Sequence, residues 1–165
     1  MLRSKSTDAQ NEDKNSITLI WVTIIAVVSI AIYISMNYYL PISSYRLLQY
    51  IGTAMIFVGI IVRLFAVFSL GRFFTVDVTI RKDHRIKRDG LYKYLRHPSY
   101  AASLFSFIGM GLTFNNWLSL LLVTIPVLIV FIHRIKIEES MLIRHFGTEY
   151  IEYKKATKRL VPFIY

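Results

Sequence analysis

Two short groups of residues are of types and spacings that could do chemistry. The first is Arg96-His97-Pro98, which runs into an uncharged segment beginning at Ser99. Proline suits the first position of a helix, which places His97 at the N-cap and leaves the amides of Ser99, Tyr100 and Ala101 unpaired. Those amides, the positive end of the helix dipole, Arg96 and a charged His97 converge on one point, and that point suits an anion. The second group is Arg134 with Glu138 and Glu139. Neighbouring carboxylates on a helix project about 100° apart, so one is expected to meet a ligand while the other caps or pairs. A carboxylate accepts from two sugar hydroxyls or from a cationic group. Each group alone is ordinary, one a helix start and the other a solvated acidic pair. Together they suit a zwitterionic ligand carrying a ribose.

The elements that must bring them together are apolar. Of the 165 residues 55% are hydrophobic, against a net charge of +10. A soluble globule cannot hide that much apolar surface, whereas a membrane protein has no need to. Ile17 to Met36 is free of charge, and at about 1.5 Å per residue it crosses the roughly 30 Å hydrocarbon core. It is too long for the apolar part of a signal peptide, and no cleavage pattern follows it. Leu47 to Leu70, Ser99 to Phe114 and Trp117 to Ile135 supply three further spans, with Pro41, Ser43 and Ser44 turning the first hairpin and Asn115-Asn116 the second. The hairpin of spans three and four therefore sets Glu138 and Glu139 beside Arg96 and His97.

Eighteen of the 20 lysines and arginines lie before Ile17, between residues 71 and 97, or after His133. All three stretches fall on one side of a four-span protein, and the positive-inside rule makes that side cytoplasmic, with both termini there. Topology and anionic lipid account for the base, so no nucleic-acid partner is expected. The chain has no cysteine, which excludes thiolate metal sites and cysteine nucleophiles, and no metal site is expected. All ten acidic residues lie outside the spans, which argues against the rival reading of a small transporter or assembly subunit.

Two spans carry irregularities. Arg63 reads equally as a snorkelling anchor and as a substrate-facing group. Pro126 frees the carbonyl of Leu122 and reads as a packing kink before a hinge. Ala102, Ser106, Gly109 and Thr113 form a small-residue stripe suited to close helix packing. The first sixteen residues are polar and of mixed charge, and are expected to be disordered.

The segment from about Leu70 to Tyr165 resembles the isoprenylcysteine carboxyl methyltransferase and phospholipid methyltransferase superfamily. The resemblance is carried by Leu70-Gly71-Arg72-Phe73-Phe74, Asp83-His84, Gly90 with Tyr92, Arg96-His97-Pro98 with Tyr100, Arg134 with Glu138-Glu139, Phe146-Gly147 with Glu149-Tyr150 and Tyr153, and Pro162. It implies an all-α polytopic membrane enzyme with cytoplasmic catalytic elements, using S-adenosylmethionine as methyl donor and a lipophilic acceptor. On this chain it implies a cofactor pocket of Gly90, Leu91, Tyr92, Arg96, His97, Pro98, Tyr100, Glu138 and Glu139. Arg134 and Glu139 would stand at the reacting centre, with Arg134 orienting an anionic acceptor. A carboxylate acceptor needs no general base; a phenol, enol or amine would need one, for which His84, His97 or a glutamate are candidates. The division expected is a tail at 1–16, a first hairpin at 17–70, and a methyltransferase-like core at 71–165 holding the second hairpin at 99–135. An NADPH-dependent reductase of the sterol-reductase type shares the Arg-His-Pro signature and is the nearest enzymatic rival; the Glu138-Glu139 pair after Arg134 favours the methyltransferase.

Overall fold

The structure is a computed structural model that describes residues 2–71 and 86–160, with side chains described from residue 15 onward. The expected features at Arg72, Phe73, Phe74, Asp83, His84 and Pro162 lie outside the described residues. Among the described residues five α-helices carry the fold: α1 Leu2–Asn37, α2 Leu47–Leu70, α3 Pro98–Phe114, α4 Trp117–Phe146 and α5 Thr148–Ala156, with a 3-10 turn at Gly90–Lys93. Three segments among the described residues are long and apolar enough to cross a membrane, Asn15–Asn37, Leu47–Leu70 and Trp117–Phe146. At 17 residues, or about 25 Å, α3 is shorter.

Two boundaries differ from those read in the sequence. The residues expected to be a disordered tail are the opening turns of α1 from Leu2. The fourth apolar segment does not end with its hydropathy at Ile135, because Lys, Glu and Met are good helix formers and the helix runs on to Phe146. It stops at Gly147, whose φ of 56° is left-handed. Glu138 and Glu139 thus ride on the same rigid helix as Arg134. That helix stays continuous through Pro126.

The helices pack as two antiparallel pairs. In the first, α1 lies along the buried stripe of α4 that holds Ser119, Val123, Val127, Phe131 and Arg134. Ser119 Oγ donates to the Ala31 carbonyl at 2.9 Å, and Arg134 Nη1 donates to Ser16 Oγ at 2.7 Å. These bonds are 15 residues apart on each helix, about 22 Å, so the two axes run in strict register.

In the second pair, α2 and α3 meet through small residues. A Cβ placed on Gly59 would lie 2.7 Å from the Ala102 carbonyl oxygen, and one on Gly109 would lie 2.6 Å from that of Gly52. Both approaches require glycine, and the stripe Ala102, Ser106, Gly109 and Thr113 is the surface that α2 uses.

The pairs join where α3 turns into α4, and α1 and α2 share no comparable interface. At the turn end, Asn115 adopts the left-handed region with φ 48°. Its Oδ1 accepts from the amides of Ile42 and Ser43, at 3.2 and 3.0 Å, and its Nδ2 donates to the Ser43 carbonyl. Asn116 caps α4 through the Ser119 amide and donates to the Tyr38 carbonyl. One tight turn therefore ties down the 38–46 loop as well.

Candidate active site

At the opposite end of the bundle, Pro98 is the first residue of α3 and His97 occupies the N-cap position, as its chemistry requires, although the imidazole makes no capping bond. The Ala101 amide donates to the His97 carbonyl at 3.1 Å, so the expected triad of unpaired amides reduces to Ser99 and Tyr100. The segment before it is fixed by the C-terminal part of the chain. Arg96 N donates to the Lys158 carbonyl, His97 N to that of Arg159, and Lys158 N to that of Tyr94. Tyr153 Oη donates to the Tyr92 carbonyl at 2.7 Å.

The two adjacent glutamates diverge, as their offset on the helix demands. Glu139 is buried in a ring of cations: its Oε1 accepts from Arg96 Nε at 2.8 Å, and its Oε2 lies 2.9 Å from Arg159 Nη2 and 3.3 Å from Lys154 Nζ. Arg96 also donates through Nη1 to the Lys154 and Thr157 carbonyls. The Arg96–Glu139 pair thus holds α3, α4 and the strand-like segment after α5 together.

Glu138 turns the other way. Its Oε1 accepts from Arg134 Nε at 3.0 Å and from Tyr100 Oη, and its Oε2 lies 3.6 Å from His97 Nδ1. His97 Nε2 is buried, 3.5 Å from Glu139 Oε1, and has no hydrogen-bond partner among the described residues. The neighbouring phenols are kept neutral: burial pushes the Tyr153 hydroxyl up to about 12, and burial, with Tyr153 and Glu138 nearby, pushes Tyr92 upward as well.

These groups face a cavity of about 580 Å³, within the range of small-molecule and cofactor sites. Tyr92, Arg96, His97, Pro98, Tyr100, Arg134 and Glu138 line its polar end, together with Tyr150 and Tyr153 from α5. Its deeper wall is apolar, with Ile20 and Ile24 from α1, Ile60 from α2, Phe107 from α3 and Phe131 from α4. Arg63 and Ser103 line it between the two, and Arg63 Nη1 donates to Ser103 Oγ. Of the residues singled out in the sequence, Glu139, Gly90 and Leu91 are not on this wall. Glu139 stands behind it, among its cations, while Gly90 starts the 3-10 turn with φ 58°.

Sequence reasoning passed over Ser16, Lys154 and Arg159. Ser16 sat in the supposed tail, and the two basic residues counted only toward topology. Only the first left a signal, as the residue immediately before the apolar span that opens at Ile17.

The cavity thus carries charged groups at one end and apolar walls at the other. The model of the isoprenylcysteine carboxyl methyltransferase (ICMT) family matches residues 51–144. The chain belongs to that family. Among similar proteins, protein-S-isoprenylcysteine O-methyltransferase B of Arabidopsis thaliana is 35% identical over 115 residues, covering 68% of this chain and 58% of that protein. The protein-S-isoprenylcysteine O-methyltransferase of Saccharomyces cerevisiae is 35% identical over 121 residues, 72% of this chain and 51% of its own length. The solved structure of the eukaryotic intramembrane Ras methyltransferase ICMT superposes with a TM-score of 0.72 at 26% identity, covering 87% of this chain and 52% of that one. The chain thus spans little more than half the length of these relatives. Together with the apolar helices, these likenesses make it an integral membrane protein, and they favour the methyltransferase over the reductase and transporter readings.

Proposed function

We propose that this chain is an S-adenosylmethionine-dependent carboxyl methyltransferase acting on a lipophilic carboxylate of the isoprenylcysteine kind. In this reading α3 is a fourth span, and the site and both termini lie on the cytoplasmic side, where 18 of the 20 basic residues gather. The observation that carries it is the single cavity joining Glu138, His97 and Arg134 to a wall of Ile20, Ile24, Ile60, Phe107 and Phe131.

The polar end fits the cofactor. Glu138 offers acceptor oxygens to ribose hydroxyls or an ammonium group, and the Ser99 and Tyr100 amides at the start of α3 offer polar partners for an amino-acid head. When bound, S-adenosylmethionine supplies a methyl group on a sulfonium, and its transfer to a carboxylate oxygen cancels both charges and moves no proton. The residues are therefore asked to align and to exclude water rather than to act as a base. Arg134, held by Glu138, and Arg63, held by Ser103, present two guanidinium groups to one cavity. Paired cations favour a carboxylate acceptor over an amine. The gap between α1 and α2 gives an acceptor tail a lateral path from the bilayer.

The test is transfer of labelled methyl from S-adenosylmethionine to N-acetyl-S-farnesylcysteine by the purified protein in lipid nanodiscs. A base-labile methyl ester is expected. Binding of the donor without any ester on a prenylated carboxylate would remove this acceptor class.

A further inference from the structure

Helix α4 is apolar enough to cross a membrane, yet its last turns are charged, and its outward face records where the crossing ends. Leu121, Ile125 and Ile129 follow one another at four-residue intervals on that face, and all three are exposed, as side chains in contact with lipid are. His133 and Lys136 continue the same stripe and are exposed as well. We propose that His133 and Lys136 form a docking surface for the headgroups of anionic phospholipids, in the leaflet at the site end of the bundle.

The short apolar length of α4 makes such a surface necessary. Its lipid-facing stripe runs from the exposed Trp117 to His133, about 24 Å of helix. The hydrocarbon core is roughly 30 Å thick, so the stripe falls about 6 Å short of it. Helix α2 begins beside the same turn, where Trp117 N donates to the Leu40 carbonyl and Asn115 Nδ2 to that of Ser43. Its outer face stays apolar through the exposed Phe65 and Phe68 to Leu70, about 35 Å from Leu47. The two helices therefore leave the hydrocarbon at different levels. On the α4 side the headgroups must descend to His133 and Lys136, because a cation left in hydrocarbon is costly and a thinner bilayer costs less.

The chemistry of the pair selects which headgroup does so. Three residues apart on a helix, the two side chains are neighbours. Lys136 brings an ammonium on a flexible stem, and the His133 imidazole offers an N–H to a phosphate oxygen. A zwitterionic headgroup carries its own cation into that contact, whereas an anionic one does not, so the net attraction favours the anionic lipid. Because Arg134 follows His133 directly, headgroups docked here hold the cavity's cation near the depth of the phosphates. This surface depends on α4 crossing the bilayer and not on the identity of the methyl acceptor.

Tryptophan quenching by brominated lipid tests the surface on the full chain in phosphatidylcholine vesicles. With Trp21→Phe and Trp117→Phe removing both natural fluorophores, Ile129→Trp reports the lipid below His133, and Leu121→Trp reports the same helix face in the opposite leaflet. At Ile129→Trp, dibrominated phosphatidylglycerol is expected to bind about fivefold more strongly than dibrominated phosphatidylcholine. At Leu121→Trp the two should bind about equally. Lys136→Gln should abolish most of the preference and His133→Leu part of it. Arg144→Gln removes the same charge about 12 Å further along α4, beyond a headgroup layer about 5–8 Å thick, and should leave the preference in place. Equal binding of the two lipids at Ile129→Trp, or an equal preference at Leu121→Trp, would overturn the proposal. So would equal losses in Arg144→Gln and Lys136→Gln, which would mean diffuse attraction in place of docking.

Discussion

Arg96 Nε and Glu139 Oε1 meet at 2.8 Å with side chains only 8% and 4% exposed, and through them the start of α3, the site-end of α4 and the C-terminal segment become one unit. Removing one partner of a buried pair strands the other. Glu139→Gln leaves Arg96, Arg159 and Lys154 without their shared anion, and the expected cost is about 3 kcal/mol or more. Denaturant titration should show the loss. A double change of Arg96→Met with Glu139→Leu should cost less than the two single changes together.

Glu138 predicts the opposite pattern. It faces the cavity, and Tyr100, Arg134 and His97 surround it. Glu138→Gln keeps the shape but removes the charge, so the donor Kd should rise about tenfold or more, or 1.4 kcal/mol. The melting temperature should move far less than in Glu139→Gln. Calorimetric titration of S-adenosylmethionine against both variants separates a ligand-facing carboxylate from a structural one.

Arg63 is expected to govern the acceptor and not the donor. Its guanidinium lies between the polar and apolar parts of the cavity, on Ser103. Arg63→Met should raise the acceptor KM about tenfold while donor affinity holds, and Arg63→Lys should recover part of it. The chain has two tryptophans, and Trp21 is on the cavity wall. In a Trp117→Phe background, farnesylcysteine should therefore shift the emission of Trp21, with the titration moved to higher concentration by Arg63→Met.

Close packing of α2 on α3 is a sterically demanding contact of the fold. Gly59→Val would drive its side chain into the Ala102 carbonyl and Ser106, at a cost of about 1–3 kcal/mol or outright loss of the folded protein. Ile61→Val, two residues away on a face that is 64% exposed, should be nearly silent. Thermal denaturation in detergent distinguishes them.

Alkaline pH reports on the tyrosines beneath the 3-10 turn. An acid whose pKa is raised by folding keeps its proton longer in the folded state than in the unfolded one, so it affects stability only above the ordinary value of 10. Stability should therefore be flat on this account below pH 10 and fall as the pH climbs toward 12. The difference between wild type and Tyr153→Phe in absorbance at 295 nm should isolate a phenol titrating near 12.

How much of this was legible in the sequence depended on which force set each feature. The bounds of α2 at Leu47 and Leu70 followed from an apolar run between a proline turn and a glycine, and Asn115-Asn116 announced the α3–α4 turn by its chemistry. Where hydropathy and helix formation part company, the reading stopped short: α4 outran its apolar segment until Gly147. The proximity of Arg96 and His97 to Glu138 and Glu139 followed from the hairpin alone. That the two glutamates would diverge was also expected; which of them turns to the cavity and which pairs was not, because the cations around Glu139 arrive from Lys154 and Arg159, after a turn whose direction no local pattern specifies. Ser16 was hidden for the same reason, since its burial is decided by a residue 118 positions later.

Among the described residues α1 and α2 share no extensive face, so the fold is held lengthwise within each pair more than across the pairs. Each is riveted lengthwise to its own antiparallel mate, α1 by Ser16 and Ala31, α2 by its glycines, so neither can slide. Between the halves the tie is the α3–α4 seam, pinned at the site end by Arg96 with Glu139 and by Tyr100 with Glu138. Lengthwise register is therefore what the fold fixes most firmly. Under the proposed function, that register would set how deep an acceptor's head sits against Arg134.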